Sequence, residues 1–258
     1  MSTALPDLRA LIDATPFVDT HEHLIEEKTR LAGPGHHRLQ PCGDFALLFS
    51  HYAADDLRSA GMPEADLARF FAAEGIEPAE KWRIVEPYWR RCRHTGYHRA
   101  VTLAARALFG EQRWDAGAAE RVSASMRTRV RPGYYAQVLQ RAGVRTCQVN
   151  SLEDGLFCDS QYPDLLQQDL SLIPLSTDIN IALLRERSGL RVETLGDWQS
   201  ALDWTFERHA PRAVAVKSQA AYSRRLNYDD VSVAEAAPLF ARLTAGEALP
   251  PSDRKALE

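Results

Sequence analysis

The sequence predicts an α/β chain built of βα units, with one long helical insertion near its start. Three observations carry this reading. Four short apolar runs, residues 16–20, 144–150, 170–176 and 213–219, read as strands. A helical stretch from Gly133 closes on Gly143 and leads straight into the run that starts at Val144, which is the order a βα barrel repeats. Between about 45 and 130 the periodicity is helical and no clear strand interrupts it.

Composition narrows the class. A chain of 258 residues, 45% hydrophobic and 26% charged, is that of a soluble globular protein with one barrel-sized domain or two small ones. A net charge of −4 argues against nucleic-acid binding, which needs a basic face. No apolar run is long enough to span a bilayer, and the N-terminus lacks a basic region followed by an apolar one, so the cytoplasm is the expected location. Cys42, Cys92, Cys147 and Cys158 form no Cys-x-x-Cys pair and read as reduced thiols, neither zinc knuckle nor disulfide framework. The basic clusters Arg90 to His94 and Arg127 to Arg131 read as solvated helix faces, the first also within reach of an anionic substrate.

Taken in order, Leu5, Leu8, Leu11 and Ile12 fall at helical spacing over residues 5–14, with Pro6 tolerated in the first turn. The strand 16–20 follows and runs into Asp19-Thr20-His21-Glu22-His23. Side chains at i and i+2 of an extended segment share a face, so His21 and His23 address one point, and two neutral imidazoles suit a divalent metal. In a chain with eight histidines a bare His-x-His also arises as a solvated strand-end loop. His36 and His37 lie between Gly and Pro breakers and are read as loop residues rather than ligands.

Helix starts are expected at Asp55-Asp56-Leu57 and at Pro63 to Leu67, where carboxylates meet the positive end of the helix dipole. Ala79 to Phe109 is strongly helical, with breaks expected at Pro87 and near Gly96. Trp82, Val85, Tyr88 and Trp89 fall on one face, and Ala100, Leu103, Ala104, Ala107 and Leu108 on another. Beyond the strands 144–150 and 170–176, Asp197 to His209 reads as a helix. The run Ala213 to Val216 is continuous enough for a strand buried on both faces. Lys217 ends it, either snorkelling to solvent or facing a site at the mouth of the sheet. A last helix is expected to start at Ser252 or Asp253.

The apolar run, the Asp-Thr pair and the His-x-His together resemble the opening of the metal-dependent amidohydrolase superfamily. That resemblance implies a (β/α)8 TIM-type barrel, with His21 and His23 holding a catalytic divalent metal, zinc by preference, at the carboxyl ends of the strands. The 45–130 insertion resembles a branch that includes uronate isomerase and the amidohydrolase domain of nodulin-like proteins fused to glutamine synthetase. Tyr88-Trp89-Arg90 and Gly96 to Ala100 look like one of its segments, which makes Arg93, His94 and Tyr97 candidates for substrate contact. Val216 to Leu226 resembles the Lys-Ser-x-x-Ala-Tyr-Arg-x-Gly-Leu stretch of the nodulin-like proteins, with Ser223-Arg224-Arg225 in place of Arg-x-Gly. By that resemblance Lys217 is a carboxylated metal ligand or a substrate cation, and Tyr222 and Arg224 contact an anionic group.

Four strand candidates are half of what a closed barrel needs, and no histidine follows His209. The expectation is therefore the N-terminal part of a barrel, residues 1–258, whose remaining ligands and general-base aspartate come from later strands. Its open edges would invite association with a second copy. The leading function is hydrolysis of an amide, lactone or related bond of a small anionic substrate by a metal-activated water. An isomerase or decarboxylase of a sugar or aromatic acid on the same scaffold is the alternative within enzymes. A non-catalytic helical interaction protein is the alternative outside them.

Overall fold

The computed structural model describes residues 4–150 and 152–257. By its contacts the chain divides into two compact units, one joining the chain up to Leu24 with the chain from Gly143 onward, the other running Ile25–Ala142. The first unit opens with helix α1 (Ala4–Ala14) and strand β1 (Phe17–Glu22). The predicted apolar stripe of α1 is exposed at Leu8, Leu11 and Ile12, while the side chain of Leu5 lies outside the described residues.

The second unit is helical throughout its described elements: α2 (Glu27–Ala32), α3 (Tyr52–Ser59), α4 (Glu64–Phe70), α5 (Pro78–Cys92), α6 (Gly96–Ala104), α7 (Ala116–Arg129) and α8 (Tyr134–Arg141). Its core is aromatic. Phe45, Phe49, Phe70, Trp82 and Trp114 lie with ring centroids 5.3 to 6.4 Å apart, mostly edge-on or tilted as ring quadrupoles prefer. Glu27 closes the unit from its far end, its carboxylate accepting the backbone N–H groups of Gly133 and Tyr135 at 2.8 Å, where the start of α8 offers unsatisfied donors.

Three expectations fail here. Helix α5 continues through Pro87 because the turns on either side are held by burial of Trp82, Val85 and Cys92, which outweighs one lost backbone bond. Along α6 and the turn that follows it the buried face is His98, Val101 and Ala105, whereas Leu103 is exposed, so the face drawn through Ala100, Leu103 and Ala107 is rotated from the real one. Helix α3 also begins at Tyr52, three residues before the acidic pair that was read as its start.

His98 is fully buried, with its Nε2 3.0 Å from the Ala53 carbonyl and 3.5 Å from Cys92 Sγ. Burial holds its imidazole below the ordinary value, against the pull of the Ala53 carbonyl and the Asp56 charge. The unfolded chain therefore takes up a proton below about 6.5 that the folded unit refuses. Stability is then present above pH 6.5 and lost as pH falls from there towards the depressed folded value. Urea unfolding across that range should show the loss, and His98→Gln, which keeps a donor for Ala53, should flatten it; an unchanged slope would assign the pH dependence to other groups.

The chain re-enters the first unit with β2 (Val144–Val149), β3 (Leu166–Ser171), α9 (Ile181–Ser188), α10 (Leu195–His209), β4 (Ala215–Lys217), α11 (Val233–Thr244) and α12 (Pro251–Leu257). The four strands form one parallel sheet in the order β1-β2-β3-β4, each beside its neighbour in sequence, the α/β arrangement of half a TIM barrel. Capping boxes at Thr194/Asp197 and Ser232/Glu235 start α10 and α11. These two helices meet through Trp198 and Phe240, whose rings lie 5.8 Å apart over Leu170, Leu184 and Ala201. The connection between β2 and β3 carries no described helix; Leu156 and Phe157 are buried from it in place of one.

The third strand is displaced from expectation. It runs 166–171 rather than 170–176, and Pro174 sits in a π-type turn, Ile173–Thr177. Gln168 and Asp169 are buried in this strand, so its inward pattern is polar and gave no apolar signal. The helical unit likewise extends over 25–142 where the sequence placed an insertion at 45–130. All four cysteines are buried thiols outside any disulfide, and among the described residues no helix is long and apolar enough to cross a membrane.

Candidate active site

The sequence singled out the end of β1, and the structure places two imidazoles there. His21 is the last residue but one of the strand and His23 the first beyond it, their rings 4.7 Å apart at 81°. Between Asp19 and Glu22 the pairing with β2 shifts register, a local irregularity of the kind that re-aims side chains at a strand end. The Asp19 carboxylate accepts the backbone N–H of His21 at 3.2 Å and steadies the turn. Glu22 lies against Asp19, and burial, then the hydrogen bond and charge of that neighbour, push its carboxyl up to about 7. The Cys147 thiol on β2 is pushed up to about 11 by burial, with the charges of Asp19 and Glu22 adding to it, so it is a neutral wall rather than a nucleophile.

Lys217 is the last residue of β4 and pairs with Ser171 of β3, while the Leu172 N–H donates to its carbonyl at 2.8 Å. Paired residues of a parallel ladder share a face, and so does the residue two positions earlier, which is Asp169. Asp169 is 4% exposed, and neither carboxylate oxygen has a hydrogen-bond partner among the described residues. Burial raises its carboxyl above the usual carboxylate range; the Gln148 amide and the charges of Lys217 and His21 pull it back down. Strands β1, β3 and β4 thus bring an imidazole, a buried carboxyl and an ammonium within electrostatic reach of one another. At the end of β2 the buried Asn150 side-chain nitrogen also lacks a partner among the described residues, a second polar group left over by the fold.

The other predicted contacts are scattered. Tyr222 is 87% exposed, so the contact assigned to it with an anionic group is not formed by a buried phenol. Arg224 lies over the Tyr228 ring at 4.7 Å and donates through Nε to the Arg225 carbonyl. In the helical unit His94 is exposed and accepts from Arg93 Nε at 3.1 Å, and Tyr97 stacks on Tyr52 at 5.1 Å. Sequence reading missed Asp169, Glu22 and Gln148. Glu22 stood inside the His-x-His itself. Asp169 stood in a Gln-Gln-Asp run that carries no strand signal.

A metal was expected between His21 and His23. Their adjacent rings fit as two ligands, and the buried Asp169 carboxyl lies within electrostatic reach of His21. Among the described residues no three His, Cys, Asp or Glu side chains are grouped to hold a metal ion.

Comparison with known proteins gives one class of likeness. No family model matches the chain, and no curated protein does. Among solved structures, uronate isomerase from Thermotoga maritima superposes with a TM-score of 0.70 at 15% sequence identity, over 95% of this chain. The fold is therefore shared with that protein. The chain spans 55% of the length of that neighbour.

Proposed function

We propose that this chain contributes the first part of the active site of a metal-dependent sugar-acid isomerase. The observation that supports it most is the His21–His23 ring pair, with His21 and Lys217 both within electrostatic reach of the buried Asp169, in a fold shared with an enzyme described as uronate isomerase. The hydrolase expectation leaned on the Lys-Ser-x-x-Ala-Tyr segment, whose Tyr222 stands in solvent.

Isomerising a sugar acid means moving a proton between adjacent carbons beside a carbonyl. A divalent metal such as zinc, held by His21 and His23, would polarise that carbonyl as a Lewis acid. Asp169 is suited to carry the proton, because burial raises its affinity for one while Gln148, Lys217 and His21 hold that affinity in check. Lys217 supplies the cation for the substrate carboxylate, at the end of the strand next to Asp169.

Calorimetric titration of the purified chain with zinc and with glucuronate tests the assignment. His21→Ala and His23→Ala should each weaken zinc binding by more than about 100-fold, the upper end of what losing a mere supporting partner costs. Lys217→Ala should leave zinc affinity unchanged and weaken glucuronate roughly tenfold or more, as loss of a charged hydrogen bond does. Zinc binding indifferent to both histidines would sink the reading. Loss of zinc with Lys217→Ala would instead make the lysine a metal ligand.

A further inference from the structure

The helical unit holds a concave site of its own that the isomerase reading does not use. It is a cavity of about 550 Å³ walled by α5, by α6 and by the segment 112–114 that leads into α7. That segment follows a π-type turn, Ala105–Phe109, which closes on Gly110 at φ 79°, a backbone a side chain would strain.

Three arginines and one carboxylate line the cavity. The carboxylate, Glu86, is taken up by Arg90 at 2.7 Å. Arg93 donates through Nε to the His94 ring and lies 5.8 Å from the centre of the Trp89 ring, contacts that bring no carboxylate to it. Arg113 is exposed, and its guanidinium forms no hydrogen bond or ion pair among the described residues. The acids on either side of it in sequence are engaged elsewhere. Glu111 accepts from Arg121 through both oxygens, and Asp115 caps α7 through the Ala118 N–H at 2.7 Å and acts on the same Arg121. The lining therefore keeps two positive charges in a protein whose net charge is −4.

Trp89 and Trp114 line the same cavity, and the indole N–H of each is buried with no acceptor among the described residues. Indole nitrogen only donates, and a buried donor without an acceptor costs stability, so two of them beside one cavity ask for acceptor oxygens. The rings are held where they are. Trp114 is 7% exposed and stacks on Trp82 at 5.8 Å, and Trp89 meets Trp82 edge-on at 5.3 Å. Fixed N–H donors next to two uncancelled guanidinium groups are the chemistry that receives an oxyanion. Two charges select a dianion, since a single carboxylate would neutralise half of them. The volume exceeds that of a bare oxyanion and falls within the range of small-molecule sites.

We propose that this cavity binds a small organic dianion, a phosphate monoester or a dicarboxylate, whose oxygens take the donors of Arg93, Arg113, Trp89 and Trp114. The inference lies within the helical unit, stands apart from the isomerase reading and does not need the metal.

The test is calorimetry of the full chain with phenyl phosphate, phthalate and benzoate, with thermal melts as a folding control. Phenyl phosphate or phthalate should bind saturably and at least about tenfold more tightly than benzoate, whose single charge forfeits a charged hydrogen bond. The tighter of the two names the oxyanion. Arg113→Gln should weaken that ligand roughly tenfold or more, and Arg113→Glu should abolish its binding, with melting temperatures unchanged. Trp89→Phe, which keeps an aromatic ring and removes one N–H, should weaken it roughly two- to tenfold. No saturable binding of either dianion, benzoate binding as tightly as both, or binding that survives Arg113→Glu overturns the proposal.

Discussion

Asp44→Ala is expected to destabilise the helical unit by about 3–5 kcal/mol, the cost of leaving a buried charge without its partner. The Lys81 side chain is 0% exposed, and its ammonium reaches two acceptors, the Asp44 carboxylate and the Ala72 carbonyl. Asp44 also starts the turn Phe45–Phe49 by accepting the Ala46 N–H at 2.9 Å, so the variant loses a cap as well. Lys81→Met should cost less, because it removes the buried charge and leaves Asp44, which keeps some solvent contact. The double variant Asp44→Ala with Lys81→Met should then be more stable than Asp44→Ala alone. Urea unfolding followed by tryptophan fluorescence reads this directly, with Trp82 and Trp114 packed in the same core as Phe45. A cost below about 1 kcal/mol for Asp44→Ala would mean that water reaches the pair and that it behaves as a surface ion pair.

Lys81 also marks what the sequence could and could not reveal. Helix α5 was legible because Trp82, Val85 and Trp89 recur at helical spacing, and local spacing is written in the chain. That the lysine beside Trp82 is buried depends on Asp44, 37 residues away, and no window of sequence contains that fact. The strands divide the same way. β1 and β2 were read within two residues at either end because each joins an apolar run to a clear breaker, Pro16 and Gly143. β3 was misplaced by four residues at its start because its buried positions include Gln168 and Asp169, and a strand that serves a site carries polar residues where a pattern search expects apolar ones. The His-x-His was legible because its meaning is local; Asp169 joins it only through the parallel pairing of β3 with its neighbours.

On the proposed isomerase reading, Asp169→Asn is expected to lower turnover of an enzyme built on this chain by roughly 10²- to 10⁴-fold, the usual worth of a positioned acid or base, while zinc affinity stays unchanged. The same substitution should make the protein more stable at neutral pH. The wild-type carboxylate is buried with both oxygens lacking partners, and replacing a group whose charge is penalised by burial with a neutral amide of the same shape removes about 1–3 kcal/mol of desolvation cost. Opposite signs for activity and stability are what a residue kept for chemistry produces, since the fold carries its cost for the sake of the reaction. A residue kept for structure would lose both together. Thermal melts and turnover of glucuronate measured on the same preparation decide between them: a fall in melting temperature alongside the fall in kcat would make Asp169 an anchor for Lys217 and β4 rather than the proton carrier.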